Sequence, residues 1–332
     1  MAKTVTKWAI LGALQGVEDV PTVLVPATHG LRTTEFLGVD VKYSYDGKRP
    51  GKAPGTAARL GLVGPEGRYA EATMKQEGAG AGAAYSATVL PTPHLMLRMN
   101  GFDAVVADGA SVTYTPADEG AYAFTTMEAY ERGQKYSMKN VQGDGIMFGG
   151  ELGQIPVWES ALKAAVTALP IDAAIPVGVV YNSTPGAKAT QMLITVGDYV
   201  PVRVHEFKFM QKRNLQERAF DNVAGVHGGF HPDVERQFSV EFFMEAAPMP
   251  ASAPYHTATA LNPRALLELA EELGLSFQVG ATAFKKYTVA AGRAVIGTLA
   301  EDKKGALAMI RVTLDLFPST ESTNDECTIT FD

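Results

Sequence analysis

A chain of 332 residues with 46% hydrophobic content is long enough for two domains, and it holds no apolar run near the ~18 residues of a membrane-crossing helix. A formal charge of −7, from 29 basic and 36 acidic residues with no dense basic stripe, argues against stable binding to a nucleic-acid backbone. The single cysteine, Cys327, excludes an internal disulfide framework and fits a reducing compartment.

In chain order, Lys3 and Lys7 precede the apolar segment Trp8 to Leu14, which faintly resembles a signal peptide. That segment has only seven residues and runs into Glu18-Asp19, so a leader is not expected. The alternation Val39-Asp40-Val41-Lys42-Tyr43-Ser44-Tyr45 predicts a half-buried strand. A Gly-, Pro- and Arg-rich loop follows over 46–67; with Arg68, its Arg49, Lys52 and Arg59 form a basic patch, read as solvated. Arg68 to Gly78 reads as a strand and 79–91 as a loose connection. Thr92-Pro93 signals a helix start, with a side-chain cap and proline at the first turn, and Gly101-Phe102 signals its end. In 104–134, Val112-Thr113-Tyr114 and Tyr122 to Thr126 read as an added hairpin. Lys135-Tyr136-Ser137-Met138 leads to Gly153 and a closing strand at Ile155 to Trp158.

The same series then recurs. Val202-Arg203-Val204 and Phe207-Lys208-Phe209 read as strands, followed by a polar loop over 211–235. In Arg236 to Ala246, Phe238, Val240 and Phe242 fall 168 residues after Ala70, Ala72 and Met74. Asn262-Pro263 and Gly274-Leu275 punctuate a second helix, and Lys286-Tyr287-Thr288-Val289 leads to Gly305 and a strand at Leu307 to Leu316. Five elements in one order, with matching helix caps, mark a duplicated module. The expected organisation is a first module over 1–170 with the extra hairpin at 104–134, a linker over 171–190, a second module over 191–318 and an arm with a strand over 319–332. The expected fold is mainly β with short helices (α+β): two tandem β-sandwich or partial-barrel modules, each with one flanking helix.

Catalytic motifs are missing from both copies. Gly78-Ala79-Gly80-Ala81-Gly82 and Gly143-Asp144-Gly145 open no helix and read as flexible turns rather than phosphate cradles. His227 and His231 stand four apart, but among glycines and before Pro232, where helical ligand geometry fails. Glu268, Glu271 and Glu272 read as the wet side of the second helix, and Trp8 and Trp158 as core. No catalytic, metal-binding or cofactor-binding residue is singled out, no cofactor is expected, and the chain reads as a building block rather than an enzyme. Two modules with exposed strand edges are stabilised by pairing those edges in a closed ring, three chains giving six positions, with the arm 319–332 adding its strand to a neighbour.

Gly67-Arg68-Tyr69, Gly78-Ala79-Gly80, Pro93, Leu97-Arg98-Met99-Asn100-Gly101-Phe102, Tyr114-Thr115-Pro116, Lys135-Tyr136 and Gly153 together resemble the tail tube (major tail) proteins of long-tailed bacteriophages. The start, Gly16-Val17-Glu18-Asp19-Val20-Pro21-Thr22, is similar to that family's leader before its first strands. The resemblance implies a virion structural protein, assembled in the host bacterial cytoplasm, whose stacked rings conduct DNA into the host. It implies as partners further copies of the chain, the tail terminator, the distal tail or baseplate, and a tape measure protein in the lumen. DNA would pass in transit without specific binding, no membrane is involved, and the loops 46–67 and 211–235 would reach the adjacent ring. The alternative is a soluble two-domain β-sandwich binding module, for example for carbohydrate.

Overall fold

The computed structural model describes residues 8–18, 20–44, 67–118, 122–189, 192–199, 204–217, 230–232, 236–245, 256–257, 260–304, 307–320 and 323–332. Its first half contains β1 (Trp8–Leu14), α1 (Pro26–His29), β2 (Glu35–Ser44), β3 (Gly67–Glu77), α2 (His94–Met99), β4 (Phe102–Ala107), β5 (Ser111–Pro116), β6 (Thr125–Glu131), β7 (Gln134–Glu151), β8 (Val157–Val166) and β9 (Ile171–Asp172). Its second contains β10 (Met192–Val196), β11 (Val204–Lys212), β12 (Leu215–Glu217), β13 (Phe230–Pro232), β14 (Gln237–Glu245), β15 (His256–Thr257), β16 (Ala260–Leu261), α3 (Pro263–Leu269), β17 (Leu273–Val279), β18 (Tyr287–Lys304), β19 (Leu307–Phe317) and β20 (Thr328–Phe331). The chain is mainly β with short helices.

Alternation sets the faces. In β3, Ala70, Ala72 and Met74 are buried while Glu71, Thr73 and Lys75 point away, because successive side chains leave a strand on opposite sides. Both halves then follow one strand order, β2-β3-β8-β7-β6-β1 in the first and β11-β14-β19-β18-β17-β10 in the second, every pairing antiparallel. The 18-residue strands β7 and β18 each serve two neighbours in turn, which lets the sheet fold over its helix. Helix α2 packs on β1, β4 and β7, burying Leu95, Met96, Leu97 and Met99.

The halves are not separate bodies on a loose tether. The outer end of β7 pairs with β11, Met147 opposite Met210 through Glu151 opposite Glu206, and one 16-stranded sheet results. The stretch 171–189, expected as a linker, lies against the first half. Its β9 pairs with the start of β7, and Arg32 donates to the carbonyl of Thr184 at 2.6 Å.

The strand expected to leave the chain stays in it. β20 lies between β18 and β5, with Ile329 opposite both Val289 and Tyr114. Ile329 and Phe331 are fully buried, and Phe331 meets Tyr114 edge-on at 6.0 Å and Tyr287 at 5.4 Å. Burial takes these rings out of water and holds the strand in its own chain. β20 meets the start of β18 as β9 meets the start of β7, so the duplication extends past the second module.

Other expectations are corrected. Residues 112–114 do not pair with 122–126: β5 pairs with β4 and β20, and β6 lies between β1 and β7. Val112 and Tyr114 are fully buried, and their partners come from the distant C-terminal strand. Asn262 caps α3 by accepting from the Ala265 N–H at 3.3 Å, but Thr92 does not cap α2; its hydroxyl accepts from Asn182. Gly101 ends α2 with φ +78°, whereas α3 ends on Ala270 at φ +49°, and Gly274 is already in β17. Trp158 is fully buried, but Trp8 is 38% exposed.

Candidate assembly surface

The joint between the halves is built on a bulge in β7. Gly143-Asp144-Gly145 is tightly packed: a Cβ at Gly143 would lie 2.1 Å from the Asn100 Oδ1, and one at Gly145, where φ is +114°, 2.3 Å from the Gln211 carbonyl. Asn100 donates to the Met96 carbonyl (2.8 Å) and to the Ser160 hydroxyl (2.9 Å), and the Ser160 hydroxyl reaches the Gly145 carbonyl at 3.0 Å. From the second half, Gln211 donates to the Asn100 carbonyl (2.9 Å), and Arg213 donates to those of Met99 (2.9 Å) and Gly143 (3.0 Å). The bonds to Met96, Met99 and Asn100 satisfy carbonyls that a helix C-terminus leaves unpaired, and the bond to Gly143 satisfies one that the irregular ladder of β7 leaves open. Asp144 accepts the Leu215 N–H at 3.0 Å and pairs with Lys163 at 2.9 Å. Burial pushes the Arg213 guanidinium down to about 10, with Tyr122, 5.0 Å beneath it, and Asp144 opposing that shift.

The face of the sheet turned away from the core is laced by cross-strand ion pairs. Lys75 bridges Glu35 (2.9 Å) and Glu159 (3.6 Å), linking β2, β3 and β8, and Lys42 pairs with Glu71. In the second half Arg311 bridges Glu241 (3.6 Å) and Asp302 (3.4 Å) and lies over the Phe243 ring, linking β14, β19 and β18. Where the halves meet, a cleft of about 710 Å³ carries Glu35, Glu151, Glu159 and Glu206 against Lys75 and Lys208. The result is a surface of mixed charge, acidic in the cleft, with no basic track across it among the described residues.

Several strand edges close nothing within the chain: among the described residues β1 pairs with no strand but β6, β10 with none but β17, and β4 with none but β5. Among the described residues β2 pairs only with β3, and beyond Ala294 the side of β18 opposite β19 has no strand beside it.

The residues weighed in the sequence scatter. His94, mostly buried, shares a 2.8 Å hydrogen bond with the Tyr114 hydroxyl, and burial, with Arg98 nearby, pushes it down to about 4. His231 lies in β13 opposite Gln216; His227 is outside the described residues, as are Arg49, Lys52, Arg59, loop 46–66 and most of 211–235, while Arg68 falls in β3. Gly78 and Gly80 are close-approach positions, a Cβ at Gly80 falling 2.1 Å from the Phe284 carbonyl, and not flexible turns. Glu271 and Glu272 lie beyond α3, and Glu272 pairs with Arg293 at 2.5 Å. Cys327 is fully buried, and burial pushes its thiol up. Among the described residues, no three His, Cys, Asp or Glu side chains are grouped to hold a metal ion.

Sequence reasoning missed the joint itself. Arg213 and Gln211 carried the only available signal, two polar residues amid an apolar alternation. No protein-family model matches the chain, and no curated protein matches it.

Proposed function

We propose that the chain is a structural subunit of a bacteriophage tail tube, three copies closing into a ring and rings stacking into the conduit that delivers DNA. The observation that supports this most is the fusion of two like halves edge to edge, so that β2-β3-β8-β7-β11-β14-β19-β18 run as one sheet. Three such arcs would make a barrel of 24 strands. At a spacing of about 4.8 Å and a tilt of about 40°, its backbone circumference is about 150 Å and its diameter about 48 Å. That leaves room for a nucleic-acid duplex inside a lining of side chains.

The ion-pair lattice suits such a wall. Lysines held by Glu35, Glu159 and Glu71 are not free to trap passing phosphates, and the net charge of −7 adds mild repulsion. In this reading the protein is no enzyme, needs no cofactor and belongs to the virion tail, formed in the host bacterial cytoplasm. Its partners are its own copies, the terminator, distal tail and tape measure proteins. Light scattering with negative-stain electron microscopy tests it: trimers, rings or tubes are expected, and a persistent 35.3 kDa monomer under all conditions sinks it.

One observation favours the second reading, a carbohydrate-binding module. Trp8 and Tyr181, 38% and 40% exposed, line a groove of about 650 Å³. Tryptophan fluorescence titrated with a panel of oligosaccharides separates the two, since a tube subunit gives no saturable quenching.

A further inference from the structure

We infer that the partner of the free edges of β2 and β18 is a second copy of this chain, and that β2 of one copy pairs with the outer end of β18 of the next in the register of the internal joint. The inference rests on the tail-tube reading only for the count of three; the pairing itself is argued from the joint that the chain makes with itself.

The two halves can be aligned through their ladders. Phe36 stands opposite Met74 as Phe207 stands opposite Phe242, and Glu35 opposite Lys75 as Glu206 opposite Phe243. Met74 is opposite Ser160 as Phe242 is opposite Val312. Trp158 is opposite Phe148 as Ile310 is opposite Glu301. β2 is therefore the counterpart of β11, and residues 300–304 of β18 are the counterpart of 147–151 of β7. Those two counterparts form the internal joint, Glu206 opposite Glu151 through Met210 opposite Met147.

Carried over to two copies, the register sets Glu35 opposite Lys304, Phe36 opposite Lys303 and Asp40 opposite Ala300. The one extra residue of β2 is absorbed by its irregularity between Leu37 and Asp40. Phe36, buried like Phe207, already packs into its own core, so the edge is preformed. Exposed Glu301, Asp302 and Lys303 on the β18 edge discourage indiscriminate strand addition while a matched edge is absent. Such a contact is head-to-tail: each copy offers a different edge at each end, so repetition closes a ring or runs on.

The external joint differs in one respect. Val41 and Tyr43 stand where the internal joint has Gln211 and Arg213, so the polar latch onto the preceding helix is not repeated. The internal joint is permanent, and the external one opens and closes with concentration.

Cysteine pairs test the register. Asp40 and Ala300 are both exposed, so the double variant Asp40→Cys, Ala300→Cys should fold. On mild oxidation it is expected to give a ladder of disulfide-linked dimers and trimers, at least tenfold over either single variant. The pair Asp40→Cys, Thr298→Cys, two residues out of register, should stay near the single-variant level; equal linking overturns the register. Rings or tubes by electron microscopy without linking at 40/300 overturn the joint and leave the tail-tube reading standing. Linking at 40/300 without any ring supports the joint and overturns the tube. In the unmodified protein, hydrogen exchange at 35–40 and 300–304 should slow at least tenfold in the assembled fraction, and unchanged exchange overturns the joint.

Discussion

The guanidinium of Arg213 donates to the main-chain carbonyl of Met99 at 2.9 Å, so a residue of the second half closes the last turn of the first half's helix. Arg213→Met would leave the carbonyls of Met99 and Gly143 buried without their donor. Loss of a charged donor to buried acceptors predicts destabilisation of about 2–4 kcal/mol. Denaturant unfolding measures it, and a midpoint within error of wild type would contradict the latch.

Gly143 is required by proximity, not by its backbone angle. Gly143→Ala should force Asn100 away from Met96 and Ser160 and cost about 2–4 kcal/mol. Gly292→Ala, where nothing lies within 4 Å of the added carbon, is the control and should change stability by about 0.5 kcal/mol or less. Equal effects at the two positions would count against the packing account.

His94 ties stability to acid. Its folded value, pushed down to about 4 by burial, lies below the ordinary 6.5, so between these pH values the unfolded chain binds the extra proton. Stability contributed by neutral His94 is present above pH 6.5 and is lost as pH falls toward 4. The loss reaches about 3 kcal/mol. Unfolding midpoints for wild type and His94→Gln across that range should converge at low pH; parallel curves would exclude His94 as the source.

Phe331 sits among Tyr114, Trp158 and Tyr287, all within 6.0 Å between ring centres. Phe331→Ala should cost about 3–5 kcal/mol as a core cavity. Deleting residues 326–332 should destabilise the monomer itself, measured by thermal unfolding before any assembly. A truncated chain with an unchanged melting temperature would mean that β20 contributes no packing.

Cys327 reports on the same strand. It is fully buried with its thiol pushed up, so a thiol reagent at neutral pH should modify native protein at least a thousandfold more slowly than unfolded protein. Fast labelling of the native chain would show that β20 peels away by itself.

Local order was legible in the sequence, and long-range pairing was not. Lys135-Tyr136 and Lys286-Tyr287 mark the starts of β7 and β18, and Asn262 and Gly101 act at helix ends through local chemistry that a sequence displays. Ala270 in the left-handed region carries no such signal, because an alanine seldom takes that conformation and nothing in its residue type announces it. Gly143-Asp144-Gly145 looks like a turn, yet the strand runs through it, since the glycines admit Asn100 and Gln211 from other elements. The pairing of β5 with β20 joins residues too far apart for any local pattern to announce it. As for the surface, its individual charges were visible, but their lattice depends on which strands adjoin.

The same pairing shapes how the chain comes into being. Thr113 meets Thr330 across 217 positions, and β20 follows both of its neighbours in the chain. During synthesis the far side of β5 therefore stays uncovered while the whole second half is made, a sticky edge waiting in a crowded cell. Completion of the β5 edge thus waits for translation of the second half.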